Sequence, residues 1–159
     1  MLRKLYFKTL VIGLGLGLGL SSCESHQFEE IARFSPKDIT SLDGEFFIEE
    51  MQMDLQKGDI LQLWTDFDYS YSGKQNLFWR FVILKDGEYL QELFAFPRTI
   101  VDPEIDETKV DGERTHRKVS GLNGDLEITA DGNYDFKIIL MGSKNPSLEI
   151  HTADLILKK

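Results

Sequence analysis

One cysteine in 159 residues leaves no partner for an intrachain disulfide and no second thiolate for a zinc knuckle. The fold must therefore stand on its apolar core. Histidine is almost as scarce: His26, His116 and His151 are the only three, and no two stand at a metal-ligand spacing along the chain. Cationic side chains are few, 18 lysines and arginines against 27 acids, for a net charge of −9. Such a surface excludes nucleic acid, which needs clustered Lys and Arg, and disfavours adhesion of the protein face to anionic headgroups. The plain use of that charge is solubility. No Gly-x-Ser-x-Gly elbow and no phosphate-cradling glycine loop occurs. No apolar run reaches the roughly 20 residues a membrane-spanning helix requires.

The longest apolar run, residues 9–20, is written mostly in Gly-Leu repeats and follows a segment bearing Arg3, Lys4 and Lys8 and no acid. It ends in Leu20-Ser21-Ser22-Cys23. A basic start, a short apolar core and small residues before a cleavage point make an export signal. The box resembles that of bacterial lipoproteins, in which the cysteine is acylated and becomes the new N-terminus. The resemblance implies a signal peptide over 1–22 and diacylglycerol and palmitate chains on Cys23, whose thiolate is the one nucleophile suited to that transfer. Two or three acyl chains anchor stably, at about 0.8 kcal/mol per buried methylene. A secreted protein or a buried structural thiol is the alternative. Removing 22 residues from 159 leaves 137, one domain by length, and moves the net charge from −9 to −12 because three cations go. Residues 23–37 are polar and read as a flexible acidic tether.

From residue 38 onward, short apolar runs alternate with turn dipeptides at about ten-residue intervals, the pattern of an all-β domain over 38–159. Strands are expected over 45–55, 60–67, 76–85, 88–96, 116–120, 125–130, 133–141 and 148–157. The run 76–85 is apolar on both faces: Leu77, Trp79, Phe81 and Ile83 on one, Phe78, Val82 and Leu84 on the other. That marks a central strand. Asp86-Gly87 and Asp131-Gly132 are hairpin signals. Residues 68–75 read as a Tyr-, Ser- and Gly-rich link, and 98–115 as a long acidic loop interrupted by Pro103. The architecture expected is an antiparallel two-sheet β-sandwich of seven to eight strands, jelly-roll or immunoglobulin-like, with a barrel as the alternative.

No catalytic constellation emerges. Asp102, Glu104, Asp106 and Glu107 could offer oxygens to calcium, but their spacing fits no calcium loop, and His116 beside Arg114 and Arg117 reads as a solvated loop end rather than an anion site. No metal, cofactor or catalytic residue is expected. Aromatics are the stronger feature: Trp64, Phe67, Tyr69, Tyr71 and Trp79 fall in or beside one hairpin, with Asp66, Asp68 and Asn76 among them. Exposed Trp and Tyr stack on pyranose rings and also mark protein interfaces. Trp64, Tyr69, Tyr71 and Trp79 are thus ligand or partner candidates, although strand phase puts Trp64 and Trp79 in the core.

Gly132-Asn133-Tyr134-Asp135-Phe136-Lys137-Ile138, a short loop and a closing strand ending in Lys158-Lys159 are similar to the end of the gliding-motility GldH lipoprotein family. Length, lipobox and all-β pattern extend the resemblance. It implies a non-enzymatic accessory subunit of an envelope machine for motility or secretion, lipid-anchored, most naturally at the outer membrane. The expectation is therefore a membrane-anchored lipoprotein with a protein partner. A glycan-binding lipoprotein is the alternative, and a hydrolase the third reading.

Overall fold

The computed structural model describes residues 28–36, 38–41 and 46–159; the expected signal peptide over 1–22, Cys23 and His26 lie outside them. Nine strands occur among the described residues. They are β1 (Glu30–Phe34), β2 (Glu49–Leu55), β3 (Ile60–Ser72), β4 (Leu77–Lys85) and β5 (Glu88–Ala95). The second half adds β6 (Asp102–Asp111), β7 (Arg114–Glu127), β8 (Gly132–Gly142) and β9 (Glu149–Lys158). None of the described residues forms a helix long and apolar enough to cross a membrane.

The strands form two antiparallel sheets, β1-β9-β3-β7-β6 and β2-β8-β4-β5. Pairing is nested: β1 bonds β9, β2 bonds β8, β3 bonds β7 and β4 bonds β5. A ribbon folded at β4–β5 and wound with its halves paired is a jelly roll, which decides between the two sandwich types expected. The strand β6 is an addition outside β7.

Period-two alternation explains the core. Leu61, Leu63 and Phe67 of β3, Trp79, Phe81 and Ile83 of β4, Tyr134, Phe136 and Ile138 of β8, and Leu155 and Leu157 of β9 face inward and are buried. Phe67 meets Trp79 face to face at 5.8 Å between ring centroids, and Phe81 stacks on Phe136 at 5.2 Å. As its two apolar faces foretold, β4 lies inside its sheet, between β8 and β5. Asp86-Gly87 makes the expected hairpin, with both residues at positive φ (52° and 83°) between the paired Lys85 and Glu88.

Five sequence expectations differ from the structure. Residues 98–115 are not one loop: they hold β6 and its turn at Gly112 into β7. Nearly every β6 side chain is exposed, so no alternating pattern marks the strand. The segment expected as tether holds β1, paired to β9 and tied at its start by Glu29 N–H to Lys159 O (3.0 Å). The supposed link 68–75 mostly continues β3, with Tyr69 paired to Arg117 and Tyr71 to Thr115. The two weak strands at 116–120 and 125–130 are largely one strand, β7, with a register shift at Asn123. Asp131-Gly132 is not a hairpin but an arch from one sheet to the other. It is held against the turn between β2 and β3: Lys57 N–H donates to the Asp131 side chain (Oδ1, 2.7 Å) and Gly58 N–H to Ile128 O (2.7 Å). Tyr134 O–H donates to Ala130 O (2.7 Å) at the same arch.

Gly121 is what lets β6 dock. Its φ is +150°, and a Cβ there would sit 2.3 Å from Asp102 O and 2.8 Å from the Pro103 Cα, both backbone atoms of the neighbouring strand. Gly121→Ala is expected to cost about 3 kcal/mol and to loosen β6. Gly124→Ala in the same strand meets nothing within 4 Å and should be close to neutral. Urea unfolding of the two variants checks the contrast.

Candidate functional site

The four candidate aromatics do not form one platform. Trp79 is fully buried, and Tyr69 is 6% exposed on the inward face of β3, edge-on to Phe67 at 6.1 Å and stacked on Tyr71 at 5.7 Å. Burial pushes the Tyr69 phenol up from its usual range. Trp64 lies on the opposite, outward face of β3, half-buried, its indole N–H donating to Gln62 Oε1 (3.0 Å). The Lys158 ammonium sits 3.6 Å above its ring, so that face is already covered by a cation–π contact. No sugar ring can stack on Tyr69 or Trp79, and Trp64 is occupied.

Tyr71 is the half-buried one of the two tyrosines that border a cleft, Tyr69 lying deeper on its wall. At one end of the sandwich a cleft of about 280 Å³ opens between the sheets, lined by Tyr71, Gln75, Asn76, Phe78, Phe96 and Arg98 among others. It falls just below the roughly 300–1,000 Å³ typical of ligand pockets. Arg117 borders it as well, its guanidinium held by Thr108 Oγ1 (3.1 Å) and Asp106 (3.0 Å). With Arg117 balanced by Asp106, Arg98 is the cation the mouth presents.

Phe78 and Phe96 also belong to a surface patch on the outward side of β4 and β5. Their rings are 5.0 Å apart, Phe94 stands 6.1 Å from Phe78, and the Arg98 guanidinium caps Phe96 at 5.3 Å. Phe94 is 51% exposed and Tyr89, further along β5, 65%. A register shift in β5 near Leu90 leaves that side chain exposed too. The strand is bonded on one side only.

Among the described residues the other three edge strands are more charged or shorter, although Ile31 of β1 and Val110 of β6 are exposed and Phe46, Phe47 and Ile48 lead into β2. Strand β6 carries Asp102, Glu104, Asp106, Glu107 and Asp111; β2 carries Glu49, Glu50 and Asp54; β1 is five residues long, with Arg33 clamped between Glu30 and Asp154 at 2.7 Å each. Charge and shortness are the usual protections of a free edge. On β5, by contrast, Glu92 is taken up by Arg80 at 2.6 Å, and apolar residues face water.

The outward face of the five-stranded sheet is polar instead. His116 Nε2 lies 2.7 Å from Asp68 Oδ1, and His151 Nε2 lies 3.2 Å from Ser70 Oγ. Nearby, burial and the charge of Asp154 push the Asp66 carboxyl up, against the pull of Lys118 and Arg33. Histidines 35 positions apart in sequence thus share one face, which linear spacing cannot reveal. The Phe78, Phe94 and Phe96 patch was equally unmarked. Its signal was the apolar outward set of β4, which centrality in the sheet explained without any need for a surface.

No protein-family model matches the chain, and no curated protein matches it.

Proposed function

We propose that the protein is a non-enzymatic, lipid-anchored envelope lipoprotein whose jelly roll docks a protein partner along β5, as an accessory subunit of a motility- or secretion-type complex. One observation carries the docking: among the described residues, β5 is the edge strand with the most exposed large apolar side chains (Tyr89, Leu90 and Phe94), and it runs into the Phe78–Phe94–Phe96 patch. The occupant that fits is an extended apolar segment of another envelope protein, adding a strand to the sheet. Arg98 at the end of the patch favours a segment with an acidic residue beside its apolar ones. The lipobox supports the anchor, and the absence of any nucleophile–base pairing in the cleft's lining supports a binding role.

A photo-reactive amino acid placed at Leu90 or Phe94 should cross-link, in native membranes, to a protein of one discrete mass, and one placed at Gln52 on the β2 edge should not. Phe94→Asp should reduce that capture at least about tenfold while changing stability by no more than about 0.5 kcal/mol. Equal labelling from both edges, or none from β5, would overturn the docking. The glycan reading has one observation in its favour, Tyr71 beside Gln75 and Asn76 in the cleft. Array binding lost in Tyr71→Ala, without a β5 cross-link, would replace the first reading with it.

A further inference from the structure

We propose that Asp68, His116 and His151 form a binding site for a divalent cation of the zinc type. The three donors stand on β3, β7 and β9, adjacent strands in the middle of the five-stranded sheet. One ligand atom from each lies within 4.8 Å of the other two.

The sheet places them deliberately. His116 pairs with Ser70 and Lys118 with Asp68 on β7, so His116 is on the outward face with Asp68 and Ser70. On the other flank Asp68 pairs with Thr152 but Tyr69 with Ile150, and His151 is the residue passed over. An extra residue in one strand of a pair bends that strand and re-aims its side chain, and such bulges gather at functional sites. Here the bulge turns His151 towards the same point that Asp68 and His116 share. Without it the strict alternation of β9 would leave only one residue, not two, opposite Asp68. The two imidazole rings meet at 79° with centroids 6.0 Å apart, converging rather than stacked.

Around a tetrahedral ion bound at about 2.0 Å, donors are about 3.3 Å apart. Asp68 and His116, now 2.7 Å apart, must open slightly and the widest pair must close, which side-chain rotation supplies on a fixed strand scaffold. Two imidazoles and one carboxylate suit zinc and its neighbours. Calcium and magnesium prefer six or more oxygens. The His151 side is exposed, so the fourth position faces solvent, with the Ser70 hydroxyl beside it. Three protein ligands and one open position is the arrangement that leaves a zinc ion free to take water or an outside ligand. Lys118, opposite Asp68 in the sheet, and Arg114, already paired with Glu149, are cations on this face that oppose binding, and Asp66 and Asp154 on the same face offset Lys118.

The test is calorimetric titration of ZnCl2 into the full chain, purified in mild detergent without a polyhistidine tag. One equivalent should bind, and His151→Ala and Asp68→Asn should each weaken binding at least about 100-fold, since losing a ligand costs no less than losing a partner that merely orients one. The imidazole NMR signals of His116 and His151 should shift with that equivalent, a readout on the unmutated chain. His26→Ala should bind as before. No uptake, uptake unchanged in His151→Ala, or equal affinity for CaCl2 would each overturn the site.

Discussion

Trp79→Ala should destabilise the domain by about 3–5 kcal/mol, a large share of the roughly 5–15 kcal/mol by which a domain of this size is stable. Trp79 is the largest fully buried side chain, at 0% exposure. It stands on β4 and stacks on Phe67 of β3, so it is a direct contact between the two sheets. Truncation removes that contact and leaves a cavity bounded by strands whose ladders restrict collapse. Trp79→Phe is expected to cost less than half as much, for a specific reason. The indole N–H of Trp79 is buried with no hydrogen-bond partner among the described residues. An unpaired buried donor carries a penalty of about 1–3 kcal/mol, which phenylalanine abolishes while keeping a ring against Phe67. Urea midpoints of the two variants against the parent decide it. If both substitutions cost the same, either the N–H is satisfied or the cavity argument fails.

Trp79 was also among the residues most legible in the sequence. Leu77, Trp79, Phe81 and Ile83 alternate without interruption, and a strand of that kind has one available environment. The same logic located β8 through Tyr134, Phe136, Ile138 and Leu140. It failed where burial on one face is absent. Strand β6 has only Ile105 half-covered among ten residues, so its register is held by backbone bonds to β7 and by Gly121, neither of which leaves an alternating trace. Tyr69 and Tyr71 were placed in a turn because Ser70, Ser72 and Gly73 look like turn chemistry. In fact Phe67, Tyr69 and Tyr71 continue the inward phase of β3, and Gly73, at φ 77°, ends it. Asp131-Gly132 carried the letters of a hairpin, yet the strands it joins lie in different sheets, a matter of long-range pairing that a dipeptide does not encode. The histidine cluster is the extreme case. Positions 68, 116 and 151 meet only through strand order and one bulge, so nothing local could announce them.

Cys23→Ala should abolish acyl labelling of the protein and release it from membranes, with the sandwich itself unaffected. The lipobox reading makes this an all-or-none effect, because the acyl chains supply the binding energy and the acidic protein face supplies none. Stability should not change, since every buried residue named above lies after Cys23 by at least eleven positions. The structure adds a geometric consequence. Strand β1 begins at Glu30, so only six residues lie between it and Cys23, and those seven steps of chain reach at most about 25 Å. If Cys23 is acylated as proposed, a link of that length would hold the β1–β9 flank close to the bilayer. Strand β5 lies over β7, as the cleft lined by Leu90, Gln91, Leu126 and Glu127 shows. Three strand spacings, about 14 Å, separate β7 from β1 in the sheet order β1-β9-β3-β7. Under the proposed anchoring, the apolar edge would stand away from the tethered flank, open to a neighbour in the same membrane. Anchoring would then act on docking through effective concentration, confining both partners to one surface. In the Cys23→Ala protein the Phe94 cross-link should be lost from cells while the purified domain keeps its urea midpoint. Retained labelling would overturn the lipobox reading, and a cross-link that survived release from the membrane would show that the β5 contact needs no help from the anchor.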